Sequence, residues 1–111
     1  MIKQIRDLPD YAVSDSGNVY SIQSDGLKEL RRDISNGYPR VKLNGKKYYV
    51  ANLVADHFLS YSKPNDNYHL FYVDSDPNNC NVDNLVWLTQ SDIKRYSQYT
   101  VEYRREMLGR W

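Results

Sequence analysis

Residues 69–88 read HLFYVDSDPNNCNVDNLVWL, which is two short apolar runs separated by a long polar segment. The first run ends at Val73, and the second comprises residues 85–88. Asp, Ser, Pro and Asn fill the segment between them, and Asn and Asp side chains readily hydrogen-bond the backbone two residues on. The pattern predicts a β-hairpin with a long polar turn that satisfies its own hydrogen bonds.

Upstream of this hairpin, alternation and turn signals predict further strands. Residues 38–43 alternate apolar and polar side chains, Asn44-Gly45 is a strong two-residue turn, and residues 46–50 form the returning strand. Shorter strands are predicted at residues 11–13, 19–23 and 28–32. The N-terminal part of the chain is therefore expected to form a small antiparallel sheet.

Helical spacing appears on both sides of the hairpin. Apolar positions from Val50 to Phe58 recur at the spacing of a buried helix face, and His57 lies in that stripe as a core or boundary residue. Further helices are predicted at residues 91–98 and 101–108, with Thr100 capping the second. The predicted class is α+β, in one domain of residues 1–111 that divides into 1–49 (β-rich), 50–95 (hairpin region) and 96–111 (C-terminal helix).

Charge is unevenly distributed along the 111 residues, although the formal net charge is only +1. Residues 28–47 carry seven basic and two acidic side chains, whereas residues 48–92 carry one basic and six acidic side chains. A polarised molecule of this kind is suited to steering a charged partner. No apolar run approaches the roughly 20 residues that span a bilayer, so no membrane partner is expected. Cys80 is the one cysteine, which favours a reducing cytoplasmic setting.

The hairpin resembles the motif of the phage HNH homing endonucleases. That motif reads apolar, Asn or Asp, His, apolar, Asp, Gly and polar, followed by Asn-Asn, Asn-Leu and Trp. The matching positions here are Leu70, Phe71, Tyr72, Val73, Asp74, Ser75, Asp76, Asn78, Asn79, Asn84, Leu85 and Trp87. The nuclease-associated module that opens many of these enzymes is similar to Tyr11, Val13, Ser14, Asp15, Gly17 and Val19, and to the strands around Asn44-Gly45.

The resemblance implies a ββα-metal motif, with a histidine as general base and a divalent metal held by two nearby residues. The base position falls on Tyr72 and the two ligand positions fall on Phe71 and Ile93, and none of these matches the family. We therefore expect a degenerate motif with no catalytic residue, no metal and no cofactor, in a chain that is not an enzyme. The residues expected to keep the hairpin folded are Asp74, Asn79, Asn84 and Trp87.

Three functions remain open at this stage. The first is a non-catalytic DNA-binding module in a phage protein acting in the cytoplasm of a bacterial host. Its expected contacts are Arg31, Arg32, Arg40, Lys42, Lys46, Lys47 and Tyr49. The second is an inhibitor of a host or antiphage-defence protein, with Phe71 and Tyr72 as exposed contacts. The third is a metal-dependent DNA endonuclease with a rearranged site, for which Asp74, Asp76 and Asn78 offer oxygen ligands.

Overall fold

A computed structural model describes residues 1–109 of the chain. Over these residues the α+β class is confirmed, with antiparallel strands β1–β9 and helices α1–α3. The strands are β1 Ile2–Ile5, β2 Leu8–Ser14, β3 Val19–Gln23, β4 Gly26–Glu29, β5 Asp33–Ser35, β6 Tyr38–Leu43, β7 Lys46–Tyr49, β8 Tyr68–Tyr72 and β9 Leu85–Thr89. The helices are α1 Val50–Phe58, α2 Gln90–Tyr96 and α3 Val101–Leu108.

The β-rich part of the chain forms two sheets rather than the single sheet expected from sequence. Strands β1–β4 pair in chain order as one sheet, and β5–β7 form a second. The strand predicted at residues 28–32 ends at Glu29, so Arg31 and Arg32 lie in the connection between the two sheets. The third sheet is the hairpin of β8 and β9.

The β6–β7 turn follows from its sequence. Asn44 and Gly45 both have positive φ, at 50° and 83°, which is the conformation of the two-residue turn that matches strand twist. Alternation in β6 then sends Val41 and Leu43 into the core, while Lys42 faces water. The register pairs Lys42 with Lys47 across the two strands.

The main core lies between α1 and the two N-terminal sheets. Val13, Val41, Leu43 and Val54 are almost completely buried there. Helix α1 presents the apolar side of its sequence to these residues, and the exposed side carries Asn52 and Asp56. This packing fixes the β6–β7 hairpin against the helix that follows it.

A second, smaller core lies on the far side of β8 and β9. Its buried members are Phe71, Val73, Val86, Leu88 and Leu108. Thr89 caps α2 by accepting a hydrogen bond from Asp92 N, and Thr100 caps α3 in the same way from Tyr103 N. Of the predicted C-terminal segment 96–111, Arg110 and Trp111 lie outside the described residues.

The turn between β2 and β3 joins the N-terminal part directly to the loop of the motif hairpin. Asp15 O accepts a hydrogen bond of 2.8 Å from Val82 N. Gly17 has a φ of +94°, and a Cβ added there would lie 3.0 Å from Cys80 Cβ. A side chain at position 17 would therefore strain the backbone and collide with the hairpin loop. Within residues 1–109, no helix is long and apolar enough to cross a membrane.

Candidate functional site

A hydrogen-bond network of Asp74, Asn79 and Asn84 closes the long turn between β8 and β9. Asn84 Nδ2 donates to Asp74 Oδ1 at 2.9 Å and to Asn79 O at 3.0 Å. Asp74 N donates back to Asn84 Oδ1 at 2.9 Å, and Asn79 Nδ2 donates to Asp74 Oδ2 at 2.8 Å. Beyond the last strand pairs, these three side chains provide the hydrogen bonds that hold the turn together. Asn84 is only 5% exposed, so its polar atoms need these partners.

The Asp74 carboxylate is already committed to this network. Burial raises its pKa, but hydrogen bonds from Asn79, Asp76 N and Asn84 and the charge of Arg105 lower it, so the pKa lies below its ordinary value. Both of its oxygens accept hydrogen bonds within the turn. A metal held by Asp74, Asp76 and Asn78 would share a carboxylate that already accepts three hydrogen bonds within the turn.

Phe71 and Ile93, which occupy the two metal-ligand positions of the family motif, lie together in the second core. Phe71 is 6% exposed, and Ile93 packs against the same cluster from α2. The expectation that Phe71 offers an exposed protein contact is therefore corrected, because its ring is covered by the C-terminal part of the chain. Tyr72 points to the opposite face of β8 and is half-buried.

Arg104, on α3, packs against the ring of Phe71. The sequence did not predict this buried arginine. It is 6% exposed, and its guanidinium carbon lies 5.5 Å from the centre of the Phe71 ring. The guanidinium donates to neutral oxygens at the end of α2 and in the hairpin turn. Its acceptors are Tyr96 O (2.9 Å), Ser97 O (3.1 Å), Val73 O (3.0 Å) and Ser75 Oγ (2.7 Å). Carbonyls at a helix C-terminus carry partial negative charge, which favours a cation there.

Several of the predicted basic residues lie on one exposed sheet face, which we call the basic face. Arg40, Lys42, Lys47, Tyr38 and Tyr49 lie on the outer side of β6 and β7, as the cross-strand pairs require. Lys46 lies at the turn end of β7, and Arg31 and Arg32 lie just before β5. The outer face thus gathers Arg40, Lys42, Lys47 and Tyr49 of the predicted DNA-binding set, whereas Lys46 pairs with the buried Leu43 and Arg32 lines a groove with Val41 and Val50.

Asp33 on β5 neutralises part of this face. Its carboxylate accepts from Arg40 Nε at 3.1 Å and from Lys47 Nζ at 2.5 Å. The hydrogen bond from Lys47 is the largest influence on its pKa, which lies below the ordinary value despite an opposing effect of desolvation. Within residues 1–109, the remaining basic side chains of the predicted set have no carboxylate partner; these are Arg31, Arg32, Lys42 and Lys46.

A cleft beside the motif hairpin gathers further polar groups, and we call it the histidine cleft. It lies between α1 and the β8–β9 hairpin and has a volume of about 370 Å³. It is lined by Asn52, Asp56, Lys63, Tyr68, His69, Leu70 and Trp87. The Trp87 indole N–H is buried and has no hydrogen-bond partner among the described residues.

His57, in contrast, serves the fold. Its Nδ1 lies 2.8 Å from Leu53 O, and its Nε2 accepts a 3.0 Å hydrogen bond from Arg6 N. Nδ1 therefore contacts a carbonyl of α1 itself, and Nε2 links α1 to Arg6, just after β1. This histidine has no atom left for chemistry on a ligand.

Comparison with known proteins agrees with this arrangement. Residues 2–44 match the family model described as the NUMOD4 motif. The structure of the HNH homing endonuclease I-HmuI, described as binding and cleaving DNA, matches 96% of this chain with a TM-score of 0.71 at 29% identity. This chain is related to the HNH homing endonucleases. An HNH endonuclease of Acanthamoeba polyphaga mimivirus, L247, is 33% identical over an alignment of 92 residues that covers 77% of this chain.

This HNH-related chain is shorter than both relatives. It spans 65% of the I-HmuI chain and 22% of the mimivirus protein. Its similarity to I-HmuI extends through both the N-terminal sheets and the motif hairpin, since almost all of the chain is covered. The resemblance to the HNH homing endonucleases is thereby confirmed.

The relatives also correct one expectation. We expected a chain that is not an enzyme, but the matching proteins are endonucleases, which points to an enzyme. The side chains of Phe71 and Ile93 have no ligand atoms, so these two positions do not fit the metal of the family. That misfit concerns only the mapped positions, because folding brings other polar groups into the adjacent histidine cleft. Three substituted motif positions were therefore too little to infer the absence of activity.

Proposed function

We propose that this chain binds DNA through the basic face, as part of a protein of the HNH endonuclease type. The observation that carries the proposal is the pair Lys42 and Lys47, which lie directly opposite each other on neighbouring strands. Like charges in this arrangement destabilise a sheet. Asp33 relieves the charge of Lys47 but has no ion pair with Lys42. An anionic ligand along the face would compensate the charge that remains.

Three features support a phosphate backbone as that ligand. Four basic side chains near the face lack carboxylate partners among residues 1–109. Lysine and arginine side chains provide most contacts to phosphates, and a β-ribbon can lie against a groove. Tyr38 and Tyr49 stand among them, each 42% exposed, and provide flat surfaces beside the charges.

Binding is tested by titrating the protein into a fluorescent 20-base-pair duplex at two salt concentrations. Lys42→Glu replaces a like-charge cross-strand pair by an opposite-charge pair with Lys47. The variant should therefore unfold at the same or slightly higher urea concentration while binding DNA more weakly. The dependence of log K on log salt should fall by about 0.9, the contribution of one phosphate contact.

Lys94→Glu on α2 is the matched control, because it changes the net charge equally and its position is exposed. It should leave the affinity and the salt dependence close to those of the unchanged protein. Equal losses in both variants would reduce the effect to net charge. Undiminished binding by Lys42→Glu, or no duplex binding by the unchanged protein at low salt, would overturn the proposal.

Cleavage of DNA is a second candidate, and the histidine cleft favours it. A neutral imidazole can accept a proton from water, and Asp56 provides a carboxylate in the same cleft as His69. In this proposal the reacting site lies beside His69, which the alternation of β8 puts on the same face as Phe71 and opposite Leu70. The expected role of His69, whose side chain is exposed, is general base.

Nicking of supercoiled plasmid tests this second candidate, with magnesium, manganese or zinc added and with EDTA as the reference. His69→Ala should abolish nicking, whereas Asp66→Asn, in the exposed loop before β8, should not change it. The absence of nicking by the unchanged protein with all three metals would contradict cleavage by this chain. Nicking that survives His69→Ala would place the chemistry elsewhere.

A further inference from the structure

A second cleft lies where the basic face meets the motif hairpin, and we call it the tyrosine cleft. It has a volume of about 280 Å³, near the lower end for small-ligand sites, which suits a ligand of one or two rings. Its walls come from β6, β7, α1 and β8, so it forms only when the N-terminal sheet and the hairpin are packed together. It is lined by Tyr38, Tyr49, Ala51, Asn52, Leu70 and Tyr72.

The three tyrosine rings form an angled aromatic wall. The Tyr38 and Tyr72 ring centres are 5.9 Å apart with a tilt of 45°, and Tyr38 meets Tyr49 edge to face at 6.4 Å. A third ring does not fit between centres this close. The Tyr38 and Tyr49 rings are each 42% exposed, so a flat ligand can stack on an outer face of this wall.

Two polar side chains in the cleft, Asn52 and Tyr72, can form hydrogen bonds with the edge of such a ligand. Asn52 is exposed and offers an amide oxygen and an amide NH₂, a pair that matches the edge of a nucleobase. Burial, together with Cys80 and Tyr38, raises the pKa of Tyr72, so its phenol stays protonated and is a hydrogen-bond donor. The hydroxyl makes no hydrogen bond to another described residue, and it is therefore available to a ligand.

The cleft is continuous with the basic face. Tyr38 and Tyr49 stand on the same side of the sheet as Arg40, Lys42 and Lys47. A strand whose phosphates follow these cations would carry its sugars and bases past the tyrosine wall. This charge pattern distinguishes the cleft from an ordinary apolar groove, because it selects an aromatic group attached to an anionic chain.

We propose that the tyrosine cleft binds one unpaired nucleobase of a DNA strand whose backbone lies on the basic face. The proposal rests on the proposed DNA binding and adds to it a preference for DNA with a displaced base. Tyr38 and Tyr49 provide the stacking surface, and Asn52 and Tyr72 provide hydrogen bonds to the base edge. Fully paired DNA would bind through its backbone alone.

The test compares two oligonucleotides, a 20-base-pair duplex and the same duplex with a single-nucleotide bulge. The protein should bind the bulged form about tenfold more tightly, within the range observed when one base stacks on an aromatic side chain. A 2-aminopurine at the bulge should lose fluorescence on binding, because it becomes stacked. The same analogue within the paired duplex should respond much less.

Tyr49→Leu removes one stacking surface and should reduce the preference for the bulge, measured as the ratio of the bulge affinity to the duplex affinity of the same variant, to less than threefold. Tyr103→Leu is the matched control, since this tyrosine is also exposed (45%) but lies on α3, away from the cleft. It should preserve both affinities. Circular dichroism spectra of both variants should match that of the unchanged protein.

The possible failures are distinguishable. If the unchanged protein binds duplex but shows neither preference for the bulge nor a change in 2-aminopurine fluorescence, the base site is refuted and DNA binding stands. If it binds neither oligonucleotide, the proposed function fails and the base site fails with it. A preference that survives in Tyr49→Leu and in Tyr38→Leu would also refute the cleft as its origin. The fluorescence of the unchanged protein decides the matter even if a variant does not fold.

Discussion

Lys42 and its neighbours on the basic face stand in water, whereas the guanidinium of Arg104 lies inside the protein. Lys42 has no carboxylate within reach in the described part of the chain, and Lys47 relies on an exposed partner, Asp33. Arg104 is 6% exposed and is surrounded by four oxygen acceptors and an aromatic ring. The two regions therefore hold positive charge under different physical conditions.

This difference separates charges available to a ligand from charges used by the fold. An exposed cation retains its hydration and contributes little to stability until an anion binds. A buried cation has lost its water and must be satisfied internally, or the fold is destabilised by several kcal/mol. We therefore expect substitutions on the basic face to change binding and substitutions around Arg104 to change stability.

Replacing Arg104 should produce the largest effect. Arg104→Met removes four hydrogen bonds and leaves the buried Val73 O of the hairpin turn without its donor, and it should lower the free energy of unfolding by about 3 kcal/mol. Urea denaturation followed by tryptophan fluorescence measures it. The control Lys94→Met, at an exposed position on α2, should change stability by less than about 0.5 kcal/mol. Similar losses in both variants would mean that Arg104 is not a structural cation.

Asn84 comes next, because it holds the hairpin turn without carrying charge. Asn84→Ala removes three hydrogen bonds, leaves Asp74 N and Asn79 O unsatisfied, and should destabilise the protein by about 2 kcal/mol. The control is Asn78→Ala, whose side chain is exposed in the same turn. If the two variants unfold at the same urea concentration, the network does not stabilise the turn.

Acid should remove the contribution of Asp74 to the stability of the hairpin turn. The folded state lowers the pKa of Asp74, so this carboxylate contributes stability above its unfolded pKa near 3.9, and the contribution is lost as pH falls through the folded value. Unfolding free energies measured between pH 7 and pH 2.5 should fall in the acid range. Asp74→Asn should be less stable at pH 7 and less sensitive to acid. An unchanged acid dependence in this variant would contradict the role of Asp74.

Replacing Asp33 should have the smallest effect on stability. It should strengthen DNA binding, whereas Lys42→Glu should weaken it. Asp33→Asn releases Arg40 and Lys47, so duplex affinity should rise and the salt dependence should steepen by up to about 2. The midpoint of urea denaturation should change little, because these ion pairs are exposed. Weaker DNA binding by this variant would show that Asp33 arranges the cations rather than masking them.

Sequence predicts those parts of this protein whose signals are local. Asn44-Gly45 predicts the β6–β7 turn, and the apolar stripe from Val50 to Phe58 predicts α1, because turn conformation and helical spacing depend on adjacent residues. Thr100 likewise predicts the start of α3. Arg104 escaped prediction because its acceptors are backbone oxygens and a serine far along the chain, and an arginine on a C-terminal helix usually faces water.

The difference between local signals and contacts of distant residues also explains which features of the candidate sites could be predicted from the sequence. The basic residues were predictable as a set, but not their partial neutralisation by Asp33, which requires the pairing of β5 with β6. The motif positions were predictable from the resemblance, and their side chains led to a wrong expectation of no enzyme. The histidine cleft unites α1 with the hairpin, and only the folded chain reveals that Asp56 and His69 share it.

Because Cys80 packs against Gly17, its thiol can report the opening of the contact between the β2–β3 turn and the hairpin loop. The Cys80 thiol is 2% exposed at the junction of the β2–β3 turn with the hairpin loop, and burial is the largest influence raising its pKa. A thiol reagent can reach it only when that junction opens. The rate at which Ellman's reagent modifies the native protein therefore measures how often the N-terminal sheets separate from the motif hairpin, without any added label.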